Sequence, residues 1–164
     1  MVRSKIWTYE GFVYLTSIMD LYSRKIIFWV LSETLEASHV VKCIEKTKQS
    51  RYIENLLIFH CDRGCQYVSE AFHKATEGMI HSYSKKAYPW DNACIESFHA
   101  LLKREWINRF KIFNYTHAYK LIFEYIETFY NTVRIHSHCE YLSPNEYVEQ
   151  YLKNLETTVT SLAS

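Results

Sequence analysis

Aspartate is scarce in this sequence, with copies only at Asp20, Asp62 and Asp91. Asp62 follows the apolar run Leu56-Leu57-Ile58-Phe59-His60 and precedes Arg63-Gly64. The run reads as a buried strand over 56–60, and a carboxylate just past the C-terminal end of such a strand stands where open α/β sheets bind ligands. Gly64 permits the tight turn that keeps this position open. Glu96 falls in a predicted helix over 92–108, where its face neighbours are Asn92, His99, Ala100 and Lys103. Ile95, Phe98, Leu102 and Trp106 take the opposite, apolar side, so Glu96 leaves the helix beside a histidine and a lysine. One carboxylate from a strand end and one from a helix suit Mg²⁺ (or Mn²⁺), which takes few protein oxygens and fills its shell with water and phosphate. Plainer roles stay open: Asp62 as a turn residue bonding its own backbone, Glu96 as a solvated surface charge.

The basic residues are unevenly spread. Lys85, Lys86, Lys103, Arg104, Arg109 and Lys111 face only Asp91, Glu96 and Glu105 in that stretch, a local balance of +3, whereas the whole chain carries +1. No global positive field marks a polyanion partner, so the local segment carries any argument for one. With Tyr83, Tyr88 and Trp90 nearby, Lys85, Lys86, Asn92, His99, Lys103 and Arg104 are candidates to hold a phosphate backbone and stack bases. The plainer alternative is a solvated helix face.

Histidine and cysteine offer a rival metal chemistry at His60-Cys61…Cys65, Cys94…His99 and His136-Ser137-His138-Cys139. None has the paired spacing of a zinc finger or ribbon. The five cysteines are an odd number without a CxxC pair, and the N-terminus shows no apolar signal region, so reduced thiols in a cytoplasmic protein are expected. No apolar run is long enough for a membrane span.

The elements that must position these residues follow from periodicity. The 164 residues, 48% hydrophobic and 16% aromatic, suffice for one packed domain, expected over 1–152 with a tail at 153–164. Strands are predicted at 3–8, 12–19 and 26–31, forming a meander, with a further strand at 56–60 and an edge strand at 79–83. A helix is expected to end near Ser50, a short one capped by Ser69 to stop at Gly78, and the 92–108 helix to be capped by Asp91. Thr116 is expected to cap another helix, whose stripe is Ala118, Leu121, Ile122, Tyr125, Ile126 and Phe129. Ser143-Pro144-Asn145-Glu146 reads as a capping box opening a short final helix.

Three segments together resemble the catalytic core of bacterial insertion-sequence transposases: Asp20-Leu21-Tyr22-Ser23-Arg24, His60 through Tyr67, and Trp90 through Phe98. The closing stretch Tyr130-Asn131…Arg134-Ile135-His136-Ser137…Tyr141-Leu142-Ser143-Pro144 resembles that family's usual ending. The resemblance implies an α/β, ribonuclease-H-like fold: a mixed five-stranded sheet with an antiparallel meander and helices on both faces. It further implies a DDE site in which two aspartates and a glutamate hold two divalent metals for DNA cleavage and strand transfer. Asp62 matches the second carboxylate and Glu96 the third, while Asp20 matches a carboxylate that is usually not catalytic. The Asp62–Glu96 spacing is slightly shorter than the family's habit. The family's first aspartate belongs near Val2, and no carboxylate precedes Glu10, so the chain is expected to begin just after that ligand. Losing one carboxylate beside a divalent ion removes roughly 8 kcal/mol of attraction at an effective dielectric near 20, before desolvation. The expected partners are element-end and target DNA and a second copy or an intact transposase. The rival expectation is a non-catalytic DNA-binding or subunit-interaction remnant that regulates an intact transposase; a ribonuclease-H-type nuclease is a third.

Overall fold

Strand-forming residues alternate across the N-terminal third and build an antiparallel meander of β1 (Val2–Thr8), β2 (Gly11–Met19) and β3 (Ile26–Ser32). The computed structural model describes residues 1–50, 57–61, 69–85 and 89–162. Gly11 takes φ +129° as β1 turns into β2, a conformation that side chains rarely adopt. Asp20 sets the next turn: its carboxylate accepts from the Ser23 hydroxyl at 2.7 Å and the Tyr22 N–H at 3.3 Å. Helix α1 (Ala37–Ser50) leads towards β4 (Ile58–Cys61), which pairs in parallel with β5 (Ile80–Tyr83) after the short α2 (Glu70–Ala75).

The five expected strands are present, but their ladders divide into a three-stranded and a two-stranded sheet among the described residues. Just ahead of β1, the Met1 amino group donates to the His60 carbonyl of β4 at 2.8 Å and so links the two. Helices cover both faces of the meander. On one side Ile6, Val13, Leu15, Trp29 and Leu31 pack with α3 (Ala93–Glu105) and α4 (Tyr115–Phe123). On the other, Ile18, Phe28 and Val30 pack with Val40, Cys43 and Ile44 of α1 and with β4 and α2. Alternation along β2 and β3 supplies both cores from the same strands.

Several boundaries differ from expectation, each for a local reason. Asp91 does not cap α3: it lies in a 3₁₀ turn, Pro89–Asn92, and accepts the Lys85 N–H at 2.8 Å instead. Asn92 takes the cap position without a side-chain cap bond. Asn114, not Thr116, caps α4, its side chain accepting the His117 N–H at 3.0 Å. α2 stops at Ala75 with Thr76 as its cap, ahead of Gly78. α4 continues as a π-helix, Glu124–Tyr130, so Tyr130 is buried and Phe129 is not. The Ser143–Glu146 capping box forms, with Ser143 N–H on the Glu146 carboxylate at 2.8 Å. The helix it opens, α5 (Pro144–Leu162), runs for 19 residues rather than being short, and passes through residue 152 without a break.

Candidate functional site

The first turn of α3 is bolted to the ends of β4 and β5. The Asn92 side-chain amide donates to the Ser84 hydroxyl, which also meets His60 Nε2 at 3.2 Å and the Cys61 carbonyl at 3.4 Å. His60 Nδ1 lies 2.8 Å from the Ser82 hydroxyl. Burial, and then the positive N-terminus, lowers the pKa of His60, which favours the neutral ring within this network. A cavity of about 360 Å³ opens beside it, lined among others by Met1, Asp20, Asp91 and Ile95.

α3 seats on the meander through Ile95, Phe98 and Leu102, all buried. His99 is buried with them, and its Nε2 lies 3.0 Å from the Ser17 hydroxyl. Ser17 is the residue of β2 opposite Val2 in the register of β1. The start of β1 and the first turns of α3 are therefore neighbours, joined through Ser17 and His99. Glu96 is exposed on α3 beside Ser97 and Ala100. Among the described residues, no three of His, Cys, Asp and Glu converge in a way that could hold a metal ion.

The residues singled out in the sequence fall into distinct groups. Asp62 and Lys86 lie outside the described residues, although the buried Cys61 immediately precedes Asp62 at the end of β4. Lys85 and Arg104 are exposed. Lys103 is half-buried and lines a cavity of about 470 Å³ with Lys5 and Trp7 of β1. Asn92 and His99 are buried and engaged with Ser84 and Ser17, so both sit behind the exposed ridge of α3. Asp20 is committed to its turn. Ser17, Ser82 and Ser84, which hold the arrangement together, were not singled out from the sequence. Serines two apart, Ser82 in β5 and Ser84 just past its end, were the only available signal, and a weak one. Cys43, Cys61, Cys94 and Cys139 are free thiols.

Two family profiles, both described as Integrase core domain, match residues 1–89 and 77–144. The transposase for insertion sequence element IS904 of Lactococcus lactis subsp. lactis (strain IL1403) is 37% identical over 158 residues, covering 90% of this chain and 62% of the relative. Transposase InsF for insertion sequence IS3A of Escherichia coli (strain K12) is 34% identical over 147 residues, covering 88% of this chain and 51% of the relative. The chain thus spans between half and two thirds of these curated relatives. Among solved structures, the catalytic core domain of BIV integrase superposes with TM-score 0.61 at 16% identity, over 93% of this chain and 95% of that one. The simian T-cell lymphotropic virus intasome in complex with PP2A regulatory subunit B56 gamma gives 0.71 at 13% identity, over 89% and 51%. At these identities the structural likeness is one of fold.

Proposed function

Because the chain belongs to the integrase-core family of insertion-sequence transposases, DDE-type polynucleotidyl transferases with a ribonuclease-H-like core, we propose that it presents Asp62 and Glu96 as metal ligands to DNA. The observation that carries this reading is the exposed Glu96 on a helix whose first turn is tied to the end of β4, the strand that Asp62 follows in the chain. The donor set fits the hard divalent ion expected, being carboxylate oxygens without thiolate or imidazole. Bound there, Mg²⁺ or Mn²⁺ would supply Lewis acidity to phosphoryl oxygens during metal-assisted transfer. Lys85, Lys86, Lys103 and Arg104 would neutralise backbone phosphates. Asn92 and His99, being buried, would position α3 from behind rather than meet DNA. Element ends, target DNA and a second copy or an intact transposase are the proposed partners.

No carboxylate stands on β1, whose sequence is Val-Arg-Ser-Lys-Ile-Trp-Thr. This observation favours a second reading for the chain by itself: a DNA-binding or subunit-interaction core that is one ligand short and modulates an intact transposase. The test is thermal melting with and without Mn²⁺. The chain itself is expected to show little shift and no Mn²⁺-dependent DNA nicking. Val2→Asp, which puts a carboxylate opposite Ser17, should gain a metal-induced rise that Asp62→Asn or Glu96→Gln abolishes. An equal rise with and without Glu96→Gln would remove Glu96 from the site. Mn²⁺-dependent nicking by the unaltered chain would overturn the one-ligand-short reading.

A further inference from the structure

A polar groove runs along one flank of α3. Its volume is about 500 Å³, and its walls are Ser97 and neighbours on α3, Arg24 from the β2–β3 turn, and the turn from Arg134 to His138. Arg24 and Arg134 supply its charged groups, and no carboxylate is among the residues that line it. We infer that this groove is a phosphate site, in which the Arg24 guanidinium and the Ser97 and Ser137 hydroxyls hold one backbone phosphate of a nucleic-acid strand crossing α3. The inference rests on the DNA-directed reading above and adds a recognition point that reading does not contain.

Arg24 is built into place rather than left on a free loop. Its φ of +60° is an uncommon backbone state for a side-chain-bearing residue. The Tyr130 hydroxyl fixes that backbone by donating to the Arg24 carbonyl at 3.2 Å. His138 then orients the guanidinium. Its Nε2 lies 3.1 Å from the Tyr22 carbonyl, which requires the Nε2–H tautomer and leaves Nδ1 to accept from Arg24 at 3.4 Å. Arg134 contributes less net charge, because Glu105 grips it through two bonds at 2.9 and 3.0 Å. The groove's uncompensated positive charge therefore resides at Arg24, a fork suited to phosphate. His136 adds an unused group: its Nε2 is buried and has no hydrogen-bond partner.

The test uses the full chain, a fluorescent duplex of random sequence and, separately, inorganic phosphate. Arg24→Asn removes the charge with a residue that tolerates positive φ, and Ser97→Glu places a carboxylate in the groove from an exposed helix position. Each is expected to weaken duplex binding at least about five-fold. Arg24→Asn should also flatten the dependence of log K on log salt by about 0.9. If Arg104→Ala weakens binding while both groove variants leave it unchanged, the groove assignment falls and the DNA reading stands. If the unaltered chain does not bind duplex, the DNA reading falls and phosphate decides. Saturable movement of the His136 and His138 imidazole resonances, absent in Arg24→Asn, keeps a phosphate site, and no movement overturns it. Loss of self-association in Arg24→Asn with duplex binding intact would assign the groove to an acidic segment of a second copy and overturn the proposal. Ser97→Glu keeps the test open should Arg24→Asn fail to fold.

Discussion

Glu105 closes α3 in a network that Glu96, earlier on the same helix, lacks among the described residues. Arg134 donates to Glu105 from Nε and a terminal nitrogen at 3.0 and 2.9 Å, and the Tyr125 hydroxyl donates at 2.7 Å. The bonds from Arg134 hold the Glu105 carboxyl below its ordinary range, against the opposing effect of burial. Glu96 is exposed and, among the described residues, has no comparable bonds to lose. Glu105→Gln should therefore cost about 2 kcal/mol, in line with charged hydrogen bonds in partly buried pairs. Glu96→Gln should stay within about 0.5 kcal/mol, as for a surface change. Urea unfolding of both variants checks this, and a larger loss at Glu96 than at Glu105 would show that the roles are reversed. The sequence exposed Glu96 because helical periodicity alone assigns faces. It did not expose the Glu105–Arg134 pair, since only the fold brings those residues together. Periodicity also put Asn92 and His99 on Glu96's face, but it gives an angle around the helix, not what lies opposite, which here is Ser84 and Ser17.

At the scale of elements, the continuation of α4 shows where pattern reading stops. A regular α-helical stripe through Ala118, Leu121, Ile122, Tyr125 and Ile126 leads next to Phe129. The chain instead closes i→i+5 bonds, with the Asn131 N–H on the Ile126 carbonyl at 3.1 Å, and the extra residue per turn moves the stripe to Tyr130. Tyr130 is 2% exposed, stacks edge-on against Phe98 at 4.8 Å and bonds to the β2–β3 turn, whereas Phe129 is 36% exposed. Tyr130→Ala should accordingly cost about 3–5 kcal/mol, as large aromatic truncations in cores do. Phe129→Ala should cost about 1 kcal/mol or less. Denaturation midpoints that rank the two the other way would restore the plain α-helix. The existence and order of the strands and helices were legible because apolar runs, turn residues and the capping box agree with one another. The π register was not, since tertiary packing selects it. Nor could the sequence choose between Asn114 and Thr116, two cap-forming residues within one turn.

Over the whole molecule, the segment after α4 clamps the meander to α3. Asn131 exchanges two hydrogen bonds of 3.0 Å with the backbone of Ile26, and the Cys139 thiol donates to the Ser23 carbonyl. His136 stands at this junction, its ring edge-on to Tyr130 at 4.9 Å and its carbonyl accepting from the N–H groups of Cys139 and Tyr141. The family-like closing motif was readable in order, but its role as a clamp depends on partners from the β2–β3 turn. Burial, then the charges of Arg134 and Arg24, lowers the pKa of His136 from 6.5 to about 4; Glu105 opposes this shift and His138 adds to it. In the unfolded chain the imidazole takes its proton near 6.5, so between that pH and about 4 the unfolded state binds more protons than the folded one. The contribution of the neutral ring is thus fully present above pH 6.5 and is lost as pH falls towards 4. Discounted for its half exposure, the loss is on the order of 1 kcal/mol, or roughly 2–4 °C in Tm for a chain of this size. Glu105 and Glu146, both held below 4.5, add their own losses only at the acidic end of this window. Melting scans from roughly pH 8 downward should therefore show a fall above pH 5 that is shallower in His136→Gln than in the unaltered chain. Parallel curves for the two proteins would mean that His136 takes its proton as readily folded as unfolded, and that the clamp does not depend on a neutral ring.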